Sequence, residues 1–378
     1  MPTFDLIVVG GGVMGCATAF HAARQGRRVL LLEQYRVGHA RGSSHGPSRI
    51  IRLAYTSVNY VRLSQAAYHA WRDVESEVGK QLIVTAGGLD FAEPDTPSLD
   101  QTRSSLREAG VSFDEMDRAD IVTRFPQFRL PKNTVGVYQQ DTAILAADLC
   151  VAALAFLAKR HGAEIVEETK VEGVEPSGGG VVVHAGGRRF DATRAVLAVG
   201  SWVGALASVL GLNLPLRVTK EQVAYFTPRE PRDFVVGQFP IMIVHHKHAP
   251  FRSGFPIFRS EGVKLMIESK VASADETGEV DQSRLEQLKC YAKTLLPGLG
   301  EMVKAETCRY TMTPDEDFIL DRHPEHPQIV LASPCSGHGF KFGALFGRIL
   351  ADLAFEGTSR HDIRMFQLNR PALLAGIA

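Results

Sequence analysis

The first 33 residues limit the possible folds more than any other part of the chain. The apolar run Asp5-Leu-Ile-Val-Val leads straight into Gly10, Gly12 and Gly15, spaced as G-x-G-x-x-G. An uninterrupted apolar run of this length reads as a strand buried on both faces of a parallel sheet. Each glycine answers a separate steric demand: a tight turn, close approach of the backbone to a pyrophosphate, and close packing of the next helix on the strand. A helix over residues 13–25 would aim its positive end at the phosphates. A second strand, residues 28–32, ends at Glu33, where a carboxylate can accept hydrogen bonds from ribose hydroxyls. Gly10, Gly12, Val13, Met14, Gly15, Glu33 and Gln34 are therefore the expected dinucleotide contacts. The motif alone does not choose FAD over NAD.

The next segment favours FAD. Residues 41–52, Arg41-Gly-Ser-Ser-His-Gly-Pro-Ser-Arg-Ile-Ile-Arg, combine small side chains with cations. Small residues such as Ser43 and Ser44 let a backbone run against a flat ring. His45, Arg49 and Arg52 can face the pyrimidine end of a reduced, anionic flavin. A solvated basic loop would carry the same residues, so the segment gains its meaning from the motif before it.

Bulk properties exclude several classes. Lys plus Arg equals Asp plus Glu, 42 against 42, which gives no reason to expect a nucleic acid or an anionic membrane as partner. No apolar run reaches the roughly 20 residues needed to span a bilayer. The N-terminus enters a strand at once and shows no secretory signal. Five scattered cysteines show neither zinc-ligand spacing nor a disulfide framework. A reducing cytoplasm is the expected compartment, and no metal is expected.

Hydrophobic patterning predicts helices over 60–78, 99–109, 145–160, 281–296 and 343–355. It predicts a strand pair within 82–92 and a meander over 169–174, 180–185 and 188–191. A further buried strand, 195–199, ends at Gly200-Ser-Trp202. Residues 216–270, strand-like and aromatic, are the expected floor of a substrate domain. The loop 336–342 follows a strand at 329–332 and precedes the last helix, which is where α/β sheets bind ligands. The fold class is therefore α/β. An FAD-binding Rossmann-like domain is expected from residues 1–80, 145–215 and 305–378, and a mixed antiparallel-sheet substrate domain from 81–144 and 216–304.

The motifs Gly10-x-Gly12-x-x-Gly15, Arg41-Gly-Ser-Ser-His-Gly, Arg49-Ile-Ile-Arg52, Cys308-x-Tyr310-Thr-x-Thr-Pro-Asp-Glu, Asp321-x-His323-Pro and Ser336-Gly-His-Gly-Phe-Lys341 occur in this order. Together they resemble the monomeric sarcosine oxidase family, which includes N-methyltryptophan and L-pipecolate oxidases. The resemblance implies a bilobal, D-amino-acid-oxidase-like architecture. It implies a thioether from Cys308 to the flavin, favoured by a nearby cation that promotes the thiolate. It implies that Arg52 and Lys341 hold the substrate carboxylate, that Arg49, His45 and Tyr310 lie close to the flavin ring, and that Lys264 stabilises superoxide as it forms. Val171, Gly200, Trp202, Gly337, His338, Gly339 and Phe340 join the implied cofactor contacts.

The family pattern is broken on the substrate side. Glu268 stands where the family has a histidine, Ser253 where it has a tyrosine, and Cys335 where an aromatic residue is usual. Met242 and Arg252 complete the implied pocket, and the run His245-His-Lys-His248 adds potential cations. The chain reads as an FAD-dependent oxidase of a small secondary amino acid, monomeric, giving an imine and then hydrogen peroxide from O2. A second carboxylate on the substrate, as in iminodiacetate, fits a basic rim. L-pipecolate oxidation, a dehydrogenase using a quinone or electron-transfer protein, and a non-catalytic flavin-binding subunit stay open.

Overall fold

The computed structural model describes residues 3–247, 250–269, 271–272 and 279–374. His248 and Lys270 lie outside the described residues. Two eight-stranded sheets and one of three strands organise the chain. In the first sheet Phe4–Val9 lies between Arg188–Leu197 and Val29–Leu32, parallel to both. Leu6, Ile7 and Val8 have no exposed surface, as a strand covered on both faces requires. Glu164–Val166 extends the sheet beyond Val29–Leu32, and Ile329–Ser333 joins Arg188–Leu197 in parallel. The helices Val13–Arg24, Ala147–Arg160 and Gly343–Phe355 share one large apolar core on this sheet.

The second sheet runs in the order Leu299–Met312, Arg217–Pro228, Val263–Ile267, Arg252–Phe255, Ile241–Val244, Gly88–Ala92, Val135–Gln139, Asp114–Asp117. Its back is sealed by the helix Gln282–Leu295, whose Leu285 and Leu288 share a core with Met242 and Leu265. Its front carries side chains of opposite parity, which line a large cavity. Arg49–Ile51, Ala143–Leu145 and Ile83–Thr85 form the small third sheet.

Two expectations change, and one strand crosses an expected domain boundary. The strands within 82–92 do not pair: Ile83–Thr85 joins Ala143–Leu145, whereas Gly88–Ala92 joins Val135–Gln139 and Ile241–Val244. Gly87, with φ of 70°, turns the chain from one sheet to the other. The segments 188–191 and 195–199 are largely one strand, Arg188–Leu197, antiparallel to Gly180–Ala185 over its first half and parallel to Phe4–Val9 from Ala192 to Leu197. The strand Leu299–Met312 runs unbroken across the boundary expected at 304/305, because it pairs with Arg217–Pro228 along its whole length. Among the described residues, no helix is long and apolar enough to cross a membrane, and no group of three or more His, Cys, Asp or Glu is placed to hold a metal ion.

Candidate active site

A continuous cavity of about 1060 Å³ runs from the glycine turn to the front of the second sheet. That is at or above the upper end of the roughly 300–1,000 Å³ usual for small-molecule sites. At the glycine end, Gly10, Gly12, Val13, Met14, Glu33 and Gln34 line it. A Cβ on Gly15 would stand 1.8 Å from the Gly10 carbonyl oxygen, so only glycine lets the helix seat there. Glu33 is buried. Its carboxylate accepts from the Gly11 amide at 2.6 Å and the Tyr35 amide at 2.8 Å. Burial alone would raise its pKa, but hydrogen bonds from His39 and these two amides outweigh that and hold it below the usual range. Val171, Gly200 and Trp202 line the same stretch. Gly15 lies behind the cavity wall, and Arg41 is exposed, stacked on Tyr35 at 4.8 Å, away from the lining.

The middle of the cavity gathers Ser43, Ser44, His45, Arg49, Lys264, Cys308, Tyr310, Gly337, His338, Gly339 and Phe340. The Arg49 guanidinium donates to the carbonyls of Ser43 and Ser48, both at 2.9 Å. Its positive charge is thereby fixed by neutral acceptors. Burial, reinforced by Arg49, lowers His45 to about 4, and its Nε2 is buried with no partner among the described residues. Lys264 is buried, with Nζ 3.3 Å from the Ser48 carbonyl and 4.8 Å from the centre of the Phe255 ring. Burial, then repulsion from Arg49, brings it down to about 7. Cys308 departs from expectation. Arg49 and Lys264 pull its thiol down, but burial exceeds both and pushes it up to about 11. Burial also raises Tyr310, whose ring packs 3.0 Å from where a Cβ on Gly337 would lie.

Arg52 and Lys341 meet at the far end. Lys341 is buried, and its Nζ donates to the Tyr55 hydroxyl and the His338 carbonyl, both at 2.7 Å. No carboxylate among the described residues forms an ion pair with it. Burial, then the Arg52 charge, holds it well below the usual lysine range. The Tyr55 hydroxyl lies 3.1 Å from His338 Nδ1, and His338 Nε2 lies 3.2 Å from the Glu316 carbonyl. The Nε2–H tautomer satisfies both contacts. Arg52 donates through Nη1 to the Ala54 carbonyl and, at 3.0 Å, to Asp90.

Strand parity decides which residues of the second sheet face this space. Ile243, Ser253, Phe255, Lys264, Met266 and Glu268 line it, whereas Met242, Arg252 and Leu265 point to the back. Two expected pocket residues are thereby removed. Met242 has no exposed surface and packs in the rear core, where a Cβ on Gly254 would meet its side chain at 2.7 Å. The Arg252 guanidinium lies 4.4 Å over the Tyr291 ring on the rear helix. Of the basic run, His245 turns inward to Asp90, and His246 lines the cavity with its pKa lowered by burial and by Arg252. The basic rim expected for a second carboxylate does not form among the described residues. Reading the sequence missed Tyr55 and Asp90. Tyr55 carried a signal, lying three residues beyond Arg52 and so close to its charge; Asp90 carried none.

The residues fit an FAD. A cradle that excludes any Cβ, a buried acid at the next strand end, and a cavity long enough for a dinucleotide plus a small ligand occur together. This defines a dinucleotide-binding protein with room for a small ligand beside the cofactor. The family model described as "FAD dependent oxidoreductase" matches residues 5–353, and the chain belongs to that family, in its sarcosine oxidase group. It is 32% identical to the monomeric sarcosine oxidase of Bacillus sp. (strain B-0618), covering 98% of this chain and 97% of that one. It is 33% identical to the peroxisomal sarcosine oxidase of Homo sapiens, covering 97% and 96%. The solved structure of NikD, an unusual amino acid oxidase essential for nikkomycin biosynthesis, superposes with a TM-score of 0.87 at 28% identity, covering 97% and 98%. The chain is a flavin-dependent amine oxidoreductase.

Proposed function

We propose that the protein oxidises the C–N bond of a secondary amino acid bearing one carboxylate, acting as a monomer with O2 as electron acceptor. One observation carries the reading. Lys341 is a buried amine whose acceptors among the described residues are neutral, beside Arg52, in the same cavity as the glycine cradle. A buried cation without an anion is costly, and a substrate carboxylate offsets that cost. An incoming carboxylate also raises Lys341 back toward its ordinary range, so binding and protonation reinforce each other. Held at this end, the substrate presents its amine and the adjoining C–H toward the region of Arg49, Lys264 and Tyr310. Orientation of this kind contributes much of the rate. FAD, held by Gly10 to Met14, Glu33, the 43–45 turn and the 337–340 loop, supplies the two-electron acceptor chemistry. The substrate leaves as an imine, which water hydrolyses to an amine and an aldehyde or keto acid. Lys264, in its protonated form, supplies a positive charge for the reduction of oxygen to hydrogen peroxide, which favours an oxidase over a quinone-linked dehydrogenase.

Ser253 leaves room on the cavity wall, so a substrate bulkier than sarcosine fits, with L-pipecolate as the cyclic case. The rearward turn of Arg252 counts against iminodiacetate. Anaerobic mixing with sarcosine, L-pipecolate, N-methyltryptophan and iminodiacetate tests the reading by loss of flavin absorbance. Bleaching by at least one monocarboxylate, faster than by iminodiacetate, is the expected result. No bleaching by any of them would leave a non-catalytic flavin-binding protein.

The Cys308 thioether belongs to the same proposal. Cys308 lines the cavity on the strand Leu299–Met312, with Arg49 and Lys264 close enough to lower its thiol against burial. Acid-precipitated holoprotein is expected to give a yellow pellet, and Cys308→Ala a colourless one. A colourless pellet from the unsubstituted protein rules the link out.

A further inference from the structure

The Arg52 guanidinium already holds a carboxylate of the chain itself. Asp90 Oδ1 accepts from Arg52 Nη1 at 3.0 Å and from His245 Nε2 at 2.8 Å. His245 Nδ1 lies 3.0 Å from the Ser98 hydroxyl. The side chains of Arg52, Asp90 and His245 are only 12%, 3% and 6% exposed. A carboxylate can only accept, so the imidazole proton sits on Nε2, and in the neutral ring Ser98 donates to Nδ1. These residues come from the loop after Arg49–Ile51, the strand Gly88–Ala92, the end of the strand Ile241–Val244 and the first turn of the helix Pro97–Glu108. Parts converging from so many elements fix the Asp90 carboxylate in one place.

A buried ion pair is not needed for packing here. An apolar residue would fill the position at least as cheaply, because desolvation offsets most of the Coulombic gain. The carboxylate instead changes what Arg52 offers a ligand. With Nη1 committed to Ala54 and Asp90, the Nε–Nη2 edge is left as a single fork for a carboxylate. It also changes the charge sum. Once an incoming carboxylate has raised Lys341 to its charged form, Arg52 and Lys341 bring two positive charges and Asp90 removes one, so that one carboxylate neutralises the group. A second would find no uncompensated charge at the Arg52–Lys341 end, since Arg49 and Lys264 lie toward the middle of the cavity.

We propose that Asp90, held by His245 and Ser98, is a specificity-determining positioning residue that limits the Arg52–Lys341 pair to one ligand carboxylate and so selects monocarboxylates over dicarboxylates. The proposal rests on the reading of Arg52 and Lys341 as the carboxylate holders. Asp90 acts through Arg52 and does not line the cavity.

The test uses flavin-loaded protein and the flavin absorbance change on titration with propionate and with succinate. The unsubstituted protein is expected to bind propionate more tightly. Asp90→Asn keeps an oxygen acceptor for Arg52 and His245 but removes the charge. It is expected to tighten succinate binding about tenfold more than propionate binding, and Asp90→Glu is expected to restore the original preference. A purely structural role would weaken both ligands in parallel and leave their ratio unchanged, and that result overturns the proposal. If Asp90→Asn does not fold, Asp90→Ser removes the same charge while keeping a hydroxyl for Arg52, and the same ratio decides. Lys341→Met run alongside separates the two failures. Lost binding of both ligands there, with an unchanged ratio in Asp90→Asn, sinks the role of Asp90 alone. Undiminished binding in Lys341→Met sinks the carboxylate site, and this proposal with it.

Discussion

Replacing Arg52 or Lys341 by Met in the flavin-loaded protein is expected to weaken binding of simple carboxylate inhibitors by about 2–5 kcal/mol, the range for truncating one side of a desolvated charge pair. Arg52→Met should cost more than Lys341→Met. Loss of Lys341 removes a cation whose other contacts are neutral, a hydroxyl and a carbonyl. Loss of Arg52 removes a cation and also exposes the ligand to Asp90, which then keeps His245 as its close side-chain partner among the described residues. Arg52→Lys should recover part of the charge but not the planar fork, and so give an intermediate value. Inhibitor titration followed by flavin absorbance reads all three. Because both cations serve one ligand, the double variant should lose less than the sum of the single losses. Unchanged inhibitor affinity in both single variants would remove the carboxylate site.

What the sequence revealed and what it hid divide along physical lines. The glycine turn was legible because its demands are local. Gly10, Gly15 and Glu33 lie within one strand–helix–strand unit, and close approach can be read from spacing alone. The helix ends were legible for the same reason: Gly343–Phe355 is the predicted helix residue for residue. Strand parity was not legible. In the run 241–255 a shift of one residue exchanges the cavity face for the rear core. Met242 and Arg252 therefore looked like pocket residues beside Ser253, whereas only Ser253 of the three lines the cavity, with Ile243 in the place expected of Met242. Asp90 was hidden by distance. In Gly-Leu-Asp-Phe-Ala an aspartate at an alternate position reads as the solvated side of a strand, and its partners lie 38 and 155 residues away. The Cys308 thiol shows a third limit. A nearby cation was implied by the family resemblance, but the burial that outweighs Arg49 and Lys264 depends on how the two sheets enclose the cavity.

Lys264→Met is expected to slow the oxidative half-reaction by roughly 100- to 1,000-fold, about 3–4 kcal/mol, as for loss of one preorganised group at a developing negative charge. Anaerobic reduction by substrate should change much less. The charge of Lys264 is conditional, which makes the assignment sharper. Burial first, then Arg49, brings the ammonium down to about 7, with Cys308 and Glu306 acting in the opposite direction. For a lysine lowered in this way the charged form prevails below about pH 7 and is lost as pH rises through that value. Rapid mixing of reduced protein with oxygen should therefore give rates that fall across the neutral range. Lys264→Arg should give a flatter profile, because a guanidinium stays charged there. Lys264→Met should be slow at every pH. His45, lowered to about 4, is already neutral throughout this window and adds no slope of its own. Equal losses in both half-reactions, or a profile in Lys264→Met that still falls through pH 7, would place the responsible charge elsewhere. Arg49, already anchored to two carbonyls beside Lys264, would then be the group to replace next.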